Sequence, residues 1–454
     1  MIKKFKEIIE NYNLIEKNDT IIIGSSGGPD SQFLTYMLNE IKAEYNLNLI
    51  LAHLNHLHRK EASKDENLVK ATAKELDIEF QVKIASMDEY ARKNKISAED
   101  AGRRLRYAFF NEIARKYPGA KIAIAHNKND QAETMIMRMI RGTGIDGLCA
   151  MNYKSSNIIR PILSMEKRDI INYLDQNNIS YAYDKTNGEN DYTRNYIRNE
   201  IIPKMENINP QVVDNLYNLS ELLKNDLDII ESRVDNACDN VIKSVGKYNI
   251  SFDKNGFEAL EDSLKSRVLR RAILKLKGDL KDISKENIEQ FISITSLGNG
   301  KKSVKDSLIF IKNYKTYDLY IDQSNNLNKT IELLSPDKKT YFNGLIFNVT
   351  LVDKVTKTDK YTAYFDYDKV DFPLTIRYRK NGDKFKPYGM NNNKKLKDFF
   401  IDEKVDRNLR DKIPLIISND EIIWIVGHRV SNDFKLDKTT NNIFKIEVEN
   451  DKWY

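Results

Sequence analysis

The run Ile21-Ile22-Ile23-Gly24-Ser25-Ser26-Gly27-Gly28-Pro29-Asp30-Ser31 changes character in its middle, and that change limits the folds open to this chain. Its three isoleucines predict a buried strand, which the glycines and the proline then break. From Ser31 onward Phe33, Leu34, Met37, Leu38 and Ile41 recur at helical spacing. The reading is strand, tight loop, helix. The first N–H groups of such a helix lack intrahelical partners, and with the positive end of the helix dipole they make an anion site. Gly27 and Gly28 let a phosphate approach the backbone, and Ser26 and Ser31 offer hydroxyls. Asp30 is the informative oddity. A carboxylate in a phosphate cradle repels its ligand unless a cation lies between them, so Asp30 points to a magnesium-bound nucleotide. The Gly-Lys-Ser/Thr ending of a P-loop is absent.

Strand and helix patterns alternate over the first two hundred residues. Leu49 to Leu54 form an apolar run, a helical stretch carries Leu68, Val69, Thr72 and Leu76, and Ile78, Phe80, Val82 and Ile84 alternate as one face of a strand. Ser97 and Asp100 start a helix through Ala101, Leu105, Ala108, Phe109 and Ile113. A strand at Ile122 to Ala125 leads to a helix with Ala132, Met135, Ile136, Met139 and Ile140. Repeated strand–helix units imply a parallel sheet with helices on both faces, whose ligands bind beyond the carboxyl ends of the strands. The opening loop, His53, His56 and His126 all fall there. From Asn209 the alternation stops, and Val213, Leu216, Leu219, Leu223, Leu227, Ile230, Val234 and Ala237 step by three or four, opening a helical segment to about Leu297. Strands follow, with hairpins expected at Asn343-Gly344 and Asn419-Asp420.

The expected class is therefore α/β: a parallel-sheet nucleotide-binding domain over 1–208, a helical middle domain over 209–325 and a small α+β domain over 326–454. At 454 residues two or three cores are expected. A charged fraction of 31% against 41% hydrophobic fits a globular protein without a bilayer-spanning run, and places it in the cytoplasm. Cys149 and Cys238 cannot build a disulfide framework or a four-cysteine metal site. A net charge of +6 is compatible with a polyanionic partner if the charge is local.

His126-Asn127-Lys128-Asn129-Asp130-Gln131-Ala132-Glu133-Thr134 follows a strand and opens a helix, with Asp130 and Glu133 on one helix face. Two such carboxylates can hold a metal ion or a cationic amine; taken alone, an acidic first turn is the commoner reading. His53 and His56, three apart on a strand, point to opposite faces and would share a metal only after a bend. Glu99, Arg103, Arg106 and Tyr107 lie opposite an apolar helix face, either as a salt-bridge ladder or with an arginine stabilising phosphate charge. Arg194 and Arg198 are one helical turn apart, with Tyr192 and Tyr196 near them. That combination offers charge for phosphates and rings for unstacked bases.

Ser-Gly-Gly-Pro-Asp-Ser after a strand resembles the pyrophosphate loop of the ATP pyrophosphatases, and so implies an adenine nucleotide alpha hydrolase-like fold. In order along the chain, that loop, His53-Leu54-Asn55-His56, Ala101-Gly102-Arg103-Arg104-Leu105-Arg106-Tyr107, the His126 segment, Arg141-Gly142-Thr143-Gly144-Ile145-Asp146-Gly147, Arg160-Pro161-Ile162-Leu163, Asp184-Lys185-Thr186-Asn187 and Arg194-Asn195-Tyr196-Ile197-Arg198 together resemble the tRNA(Ile)-lysidine synthetases. Arg377 to Phe385 and Lys394 to Phe400 look like that family's tRNA-binding tail. Asn55 departs from the Asp or His many members carry, which weakens a metal assignment there.

The resemblance implies ATP-dependent ligation of free L-lysine to C2 of the wobble cytidine in the CAU anticodon of tRNA(Ile), through an adenylated cytidine, with ATP and Mg2+ required and a homodimer suggested. It implies catalytic roles for Asp30, Arg103, Asp130 and Glu133, and ATP binding by Ser25, Ser26, Gly27, Gly28, Pro29, Asp30, Ser31, His53 and His126. Asp30 is the residue expected to hold the metal, directly or through water. The tRNA-binding residues implied are Arg194, Asn195, Arg198, Arg377, Arg379, Lys394, Lys395 and Lys397. The rival is a tRNA thiolase built on the same loop, which two separated cysteines disfavour.

Overall fold

The computed structural model describes residues 1–55, 62–182, 193–322, 332–336, 338–356 and 359–450. The chain divides into two compact units, residues 1–230 and 231–454. The first contains α1 (Ile2–Asn11), β1 (Thr20–Gly24), α2 (Pro29–Tyr45), β2 (Asn48–Asn55), α3 (Ala62–Glu75), β3 (Glu79–Ile84), α4 (Met87–Asn94), α5 (Ala98–Ala114), β4 (Lys121–Ile124), α6 (Lys128–Arg141), α7 (Ile145–Leu148), β5 (Lys154–Ser155), β6 (Ile158–Ile159), α8 (Lys167–Gln176), α9 (Thr193–Tyr196), a π-helical turn Ile197–Ile201 and α10 (Ile202–Ile208). The change of unit falls within α11 (Val212–Val241).

The strands of the first unit form one sheet in the order β3-β2-β1-β4-β6-β5. All neighbouring pairs are parallel except the β5–β6 hairpin. The chain builds outward from β1 to β3 in one direction and then returns to place β4 on the other side of β1, so the strand order reverses between β1 and β4. Ile21, Ile22 and Ile23 are fully buried because helices cover both faces. Phe33, Leu34, Met37, Leu38 and Ile41 of α2 pack into one core, and Phe109, Phe110 and Ile113 of α5 into the other. Gly24 ends β1 where the α5 ring of Phe110 presses closest: a Cβ there would lie 2.8 Å from the ring. The Ser97 hydroxyl caps α5 by accepting from the Asp100 N–H.

Two apolar patterns run past the core. Ile78 is buried, but Val82 and Ile84 are 41% and 59% exposed, because β3 is an edge strand with no layer over its far end. Met139 and Ile140, in the last turn of α6, are likewise exposed.

The second unit opens with β7 (Ile242–Val245), β8 (Asn249–Asp253), α12 (Lys254–Ala259), α13 (Asp262–Lys277), α14 (Lys285–Ser293), β9 (Lys302–Lys305), β10 (Leu308–Lys312) and β11 (Thr316–Ile321). These strands form a five-stranded antiparallel sheet, β7-β8-β11-β10-β9, around a core that includes Phe252, Phe257, Phe291, Phe310 and Tyr317. The helical stretch expected to continue to about Leu297 is thus interrupted at β7 and β8. The alternation of Ile250 and Phe252 with Ser251 and Asp253 is too brief to stand out beside the long helical period before it.

The remainder comprises β12 (Glu332–Leu334), β13 (Lys339–Phe342), β14 (Leu345–Val352), β15 (Thr362–Asp366), β16 (Leu374–Arg377), β17 (Lys384–Phe385), β18 (Lys394–Lys395), α15 (Leu396–Asp402), α16 (Arg407–Arg410), β19 (Leu415–Ser418), β20 (Glu421–Ile425), β21 (Arg429–Val430) and β22 (Ile443–Asn450). One sheet runs β12-β16-β19-β20-β21 and another β13-β14-β22-β15, sharing a core that includes Phe347, Phe365, Trp424 and Phe444. Both expected hairpins are present. Asn343 and Gly344 take φ of 47° and 85° between the paired Phe342 and Leu345, and Asn419 and Asp420 take 43° and 64° between Ser418 and Glu421. Among the described residues no helix is long and apolar enough to cross a membrane.

Candidate active site

The carboxyl edge of the parallel sheet gathers most of the chemistry the sequence pointed to. Leaving β1, Gly27 adopts φ +81°, Gly28 caps α2 in extended geometry and Pro29 starts it. The loop is closed by its own serines. Ser31 Oγ donates to the Gly28 carbonyl at 2.9 Å, and Ser25 and Ser26 hydroxyls accept from the Gly27 and Gly28 N–H groups. On β2, His53 Nδ1 lies 2.9 Å from the Ser25 carbonyl oxygen. His56 and Tyr192 lie outside the described residues, as does the segment from Asp184 to Asn187.

Asp30 meets the end of β4 through a residue the sequence reading passed over. Asn127 Nδ2 donates to Asp30 Oδ1 at 2.8 Å, while Asn127 Oδ1 accepts from the Asp130 N–H and Asp130 Oδ2 from the Asn127 N–H. The result is a reciprocal cap at the start of α6 whose side-chain amide also reaches the nucleotide loop. The Asn-x-x-Asp spacing was the available signal. Burial pushes the Asp30 carboxyl up to about 6 and the charge of Asp130 adds to the shift, against Lys167, the Asn127 hydrogen bond and Arg198. The Asp30 carboxylate offers hard oxygen donors of the kind magnesium takes, so Asp30 is the residue that would hold that ion, while Asp130 beside it is already engaged by Arg194 and Arg198.

Arg194 and Arg198 turn onto the two carboxylates of α6. Arg194 Nε donates to Glu133 Oε2 at 2.7 Å and its NH2 to Asp130 Oδ1 at 3.0 Å. Arg198 Nε donates to Glu133 Oε1 at 2.6 Å, and its NH2 reaches Glu133 Oε2 at 2.9 Å and Asp130 Oδ1 at 3.4 Å. Glu133 is 1% exposed. The arginines expected to face RNA therefore close a neutral four-charge clamp with the carboxylates expected to hold an amine. Arg198 stands on the π-helical turn, a distortion common at functional sites. Arg103 lies on the exposed face of α5 with its guanidinium over the Tyr107 ring.

At the end of β6, Arg160 is 7% exposed and its Nε donates to His126 Nδ1 at 3.2 Å. Burial, and then the positive charges of Arg160, Arg194, Arg103 and Arg106, hold the His126 imidazole well below its usual range.

In the second unit, Arg377 is held inside the fold by a bidentate pair with Asp383 at 2.8 and 2.9 Å. Arg379 donates to Asp411 at 2.6 Å, and Lys394 pairs with Asp402. Lys395 and Lys397 are exposed. Of the tail residues expected to bind RNA, Arg377, Arg379 and Lys394 thus carry intramolecular ion pairs. Cys149 and Cys238 are both buried, and burial pushes each thiol up.

A parallel sheet whose strand order reverses beside a Ser-Gly-Gly-x-Asp-Ser loop defines a nucleotide-binding protein of the PP-loop class, and a PP-loop domain model matches residues 1–205. A model of the TilS substrate C-terminal domain matches residues 374–448. A tRNA(Ile)-lysidine synthase of Clostridium tetani is 37% identical over 100% of this chain and 99% of its own length. One of Clostridioides difficile is 37% identical over 98% of each. The chain belongs to the tRNA(Ile)-lysidine synthase family. Among solved structures, a U34-tRNA thiolase of Methanococcus maripaludis aligns with a TM-score of 0.41 at 18% identity, over 49% of this chain and 78% of its own.

Proposed function

We propose that this protein joins free L-lysine to C2 of the wobble cytidine, position 34, in the CAU anticodon of an isoleucine tRNA. The observation that carries this reading is one sheet edge, in a member of that family, which brings a pyrophosphate loop, Asp30 and the Asp130–Glu133–Arg194–Arg198 clamp together. In the first step the cytosine O2 attacks the α-phosphorus of ATP, the bond to the β-phosphate oxygen breaks, and pyrophosphate leaves. In the second, the ε-amine of lysine attacks C2, the C2–O bond breaks, AMP departs with the electron pair, and the amine loses a proton.

The chain's own groups support both steps. The N–H groups of Gly27 and Gly28 exchange their serine partners for phosphate oxygens, and the start of α2 holds the leaving group. Asp30 would hold magnesium, which when bound neutralises charge on pyrophosphate. The clamp presents two carboxylates and two guanidiniums, the charges that the ammonium and carboxylate of a free amino acid require. Lysine bound there by exchange of these ion pairs is positioned by Asp130 and Glu133, with its proton passing to a carboxylate. Arg103 would stabilise charge on the transferred phosphate. Lys395 and Lys397, with the remaining tail cations, bind the tRNA backbone, and residues 209–325 and 326–454 serve as its platforms. A sulfur-transfer reading is disfavoured by the buried, poorly ionising thiols of Cys149 and Cys238.

The test is incubation with ATP, magnesium, labelled lysine and isoleucine tRNA bearing a CAU anticodon. Label in the digested nucleoside supports the reading. AMP release without any label entering the nucleoside overturns lysine as the acceptor.

A further inference from the structure

His126 and Arg160 stand at the carboxyl ends of neighbouring parallel strands, β4 and β6, whose register pairs Ala123 with Ile159. Arg160 is fixed on several sides. Its NH1 donates to the Asn152 carbonyl at 2.8 Å, and its backbone N–H donates to the Tyr153 carbonyl at 2.8 Å. Its Nε–H is aimed at His126 Nδ1 at 3.2 Å. A guanidinium has donors and no acceptor, so the ring nitrogen facing it must supply a lone pair. Nδ1 of His126 therefore carries no proton, and the neutral ring must carry its proton on Nε2.

His53, two strands away on β2, is set the opposite way. Its Nδ1 faces the Ser25 carbonyl oxygen at 2.9 Å. A carbonyl only accepts, so Nδ1 of His53 is the protonated nitrogen.

We propose that Arg160 is a positioning residue that locks His126 as the Nε2–H tautomer, so that His126 serves the nucleotide site as a hydrogen-bond donor to anionic oxygen and not as a base. The donor role rests on the proposed function; the tautomer does not. A ring whose Nδ1 is engaged by Arg160 and whose Nε2 bears hydrogen has no lone pair to take a proton from the attacking amine. Proton acceptance is thereby left to the carboxylates on α2 and α6. The Arg-Pro-Ile-Leu segment gains a role as well: β6 ends at Ile159, so Arg160 is the first residue beyond the strand and its side chain reaches His126 past the end of β4.

The test is long-range proton–nitrogen NMR of the full chain labelled in its histidine rings, free of metal and nucleotide, with His126 assigned by the signals missing from His126→Gln. The expected wild-type pattern for His126 is Nδ1 bare and Nε2 protonated across neutral pH, with Nδ1 of His53 the protonated nitrogen of that ring. A protonated Nδ1 on His126, in either a neutral or a charged ring, overturns the proposal without reference to any variant. In Arg160→Met the His126 pattern is expected to shift toward averaged tautomers or imidazolium while that of His53 holds, which also reports that the fold is intact. Retention of the wild-type pattern in Arg160→Met would remove Arg160 from the role.

Activity supplies a separate arm. Loss of the donor in His126→Phe should slow tRNA-dependent ATP–pyrophosphate exchange by about 100-fold, and His126→Gln, which keeps an amide donor, should recover a substantial part. Full activity in His126→Phe would overturn the donor role. A protein with the expected tautomer that fails to incorporate lysine would overturn the proposed function and leave the tautomer standing.

Discussion

Arg194 Nε donates to Glu133 Oε2 at 2.7 Å, and the carboxylate that receives it is 1% exposed. Both oxygens of Glu133 are already used, one by Arg198 alone and one by both arginines. An ion pair of this kind adds modestly while whole and costs heavily when one partner is removed, because the opposite charges stay behind. Glu133→Gln leaves two guanidiniums facing Asp130 alone. It should lower the stability of the first unit by about 3 kcal/mol, read as a shifted urea midpoint, and abolish lysine incorporation. Adding Arg194→Ala should then cost less than it does by itself, since the clamp is already broken. An unshifted midpoint in Glu133→Gln would show that the clamp is not holding the fold.

Asp30 gives the first unit a pH dependence of defined sign. Its folded-state carboxyl titrates near 6, against 3.8 for the free side chain, because burial and Asp130 disfavour the charge. The folded protein binds this proton more tightly than the unfolded one, so the contribution is fully present below the unfolded value and is lost as pH rises through about 6. Asp30→Asn keeps an acceptor for Asn127 and carries no charge. Without magnesium or ATP it should exceed the parent in stability by about 2 kcal/mol near pH 8, with the gap closing below about pH 4. Calorimetric scans across that range measure it, and a gap that widened in acid would contradict the assignment.

Much of this arrangement could be read directly from residue types. Ile-Ile-Ile before Gly-Ser-Ser-Gly-Gly fixed β1 and its loop because a strand buried on both faces has little freedom in composition, and Asn343-Gly344 fixed a hairpin because its φ values require such residues. The partner of a charge was not legible. Arg194 lies 61 residues from Glu133, and nothing local tells an arginine that faces phosphate from one that faces a carboxylate across the fold. The same holds for Arg377, which lies among exposed lysines in sequence but is held by Asp383. Asn127 was legible only in part: its spacing to Asp130 marks a cap, while its reach to Asp30 depends on the adjacency of β1 and β4.

Gly27 offers a test of the loop itself. Its φ of +81° is a conformation L residues rarely adopt, and a Cβ there would meet Val69 at 3.4 Å and the Asp65 carbonyl at 3.5 Å, so space is adequate and the backbone angle is the obstacle. Gly27→Ala should lower stability by about 1 kcal/mol while weakening ATP binding by about tenfold, because the tilted loop misdirects its N–H groups. Isothermal titration with a nonhydrolysable ATP analogue reads this directly, and an unchanged affinity would separate the loop from nucleotide binding.

The tail cations divide into those that hold the fold and those that face solvent, and substitution should separate them. Arg377 and Asp383 are 12% and 11% exposed at their side chains, so Arg377→Ala strands a carboxylate in the interior and should lower the melting temperature of the second unit. Lys395 and Lys397 are exposed on either side of the buried Leu396, and removing both should leave melting unchanged. If they contact phosphates, the double change releases about two fewer counterions, so the slope of log affinity against log salt should fall by about 2. A filter-binding series from low to moderate salt distinguishes the outcomes. A flattened slope with unchanged melting marks Lys395 and Lys397 as RNA contacts. An unchanged slope would leave the polyanion to another face of the second unit, because the ion-paired Arg377, Arg379 and Lys394 would have to give up a carboxylate for each phosphate they gained.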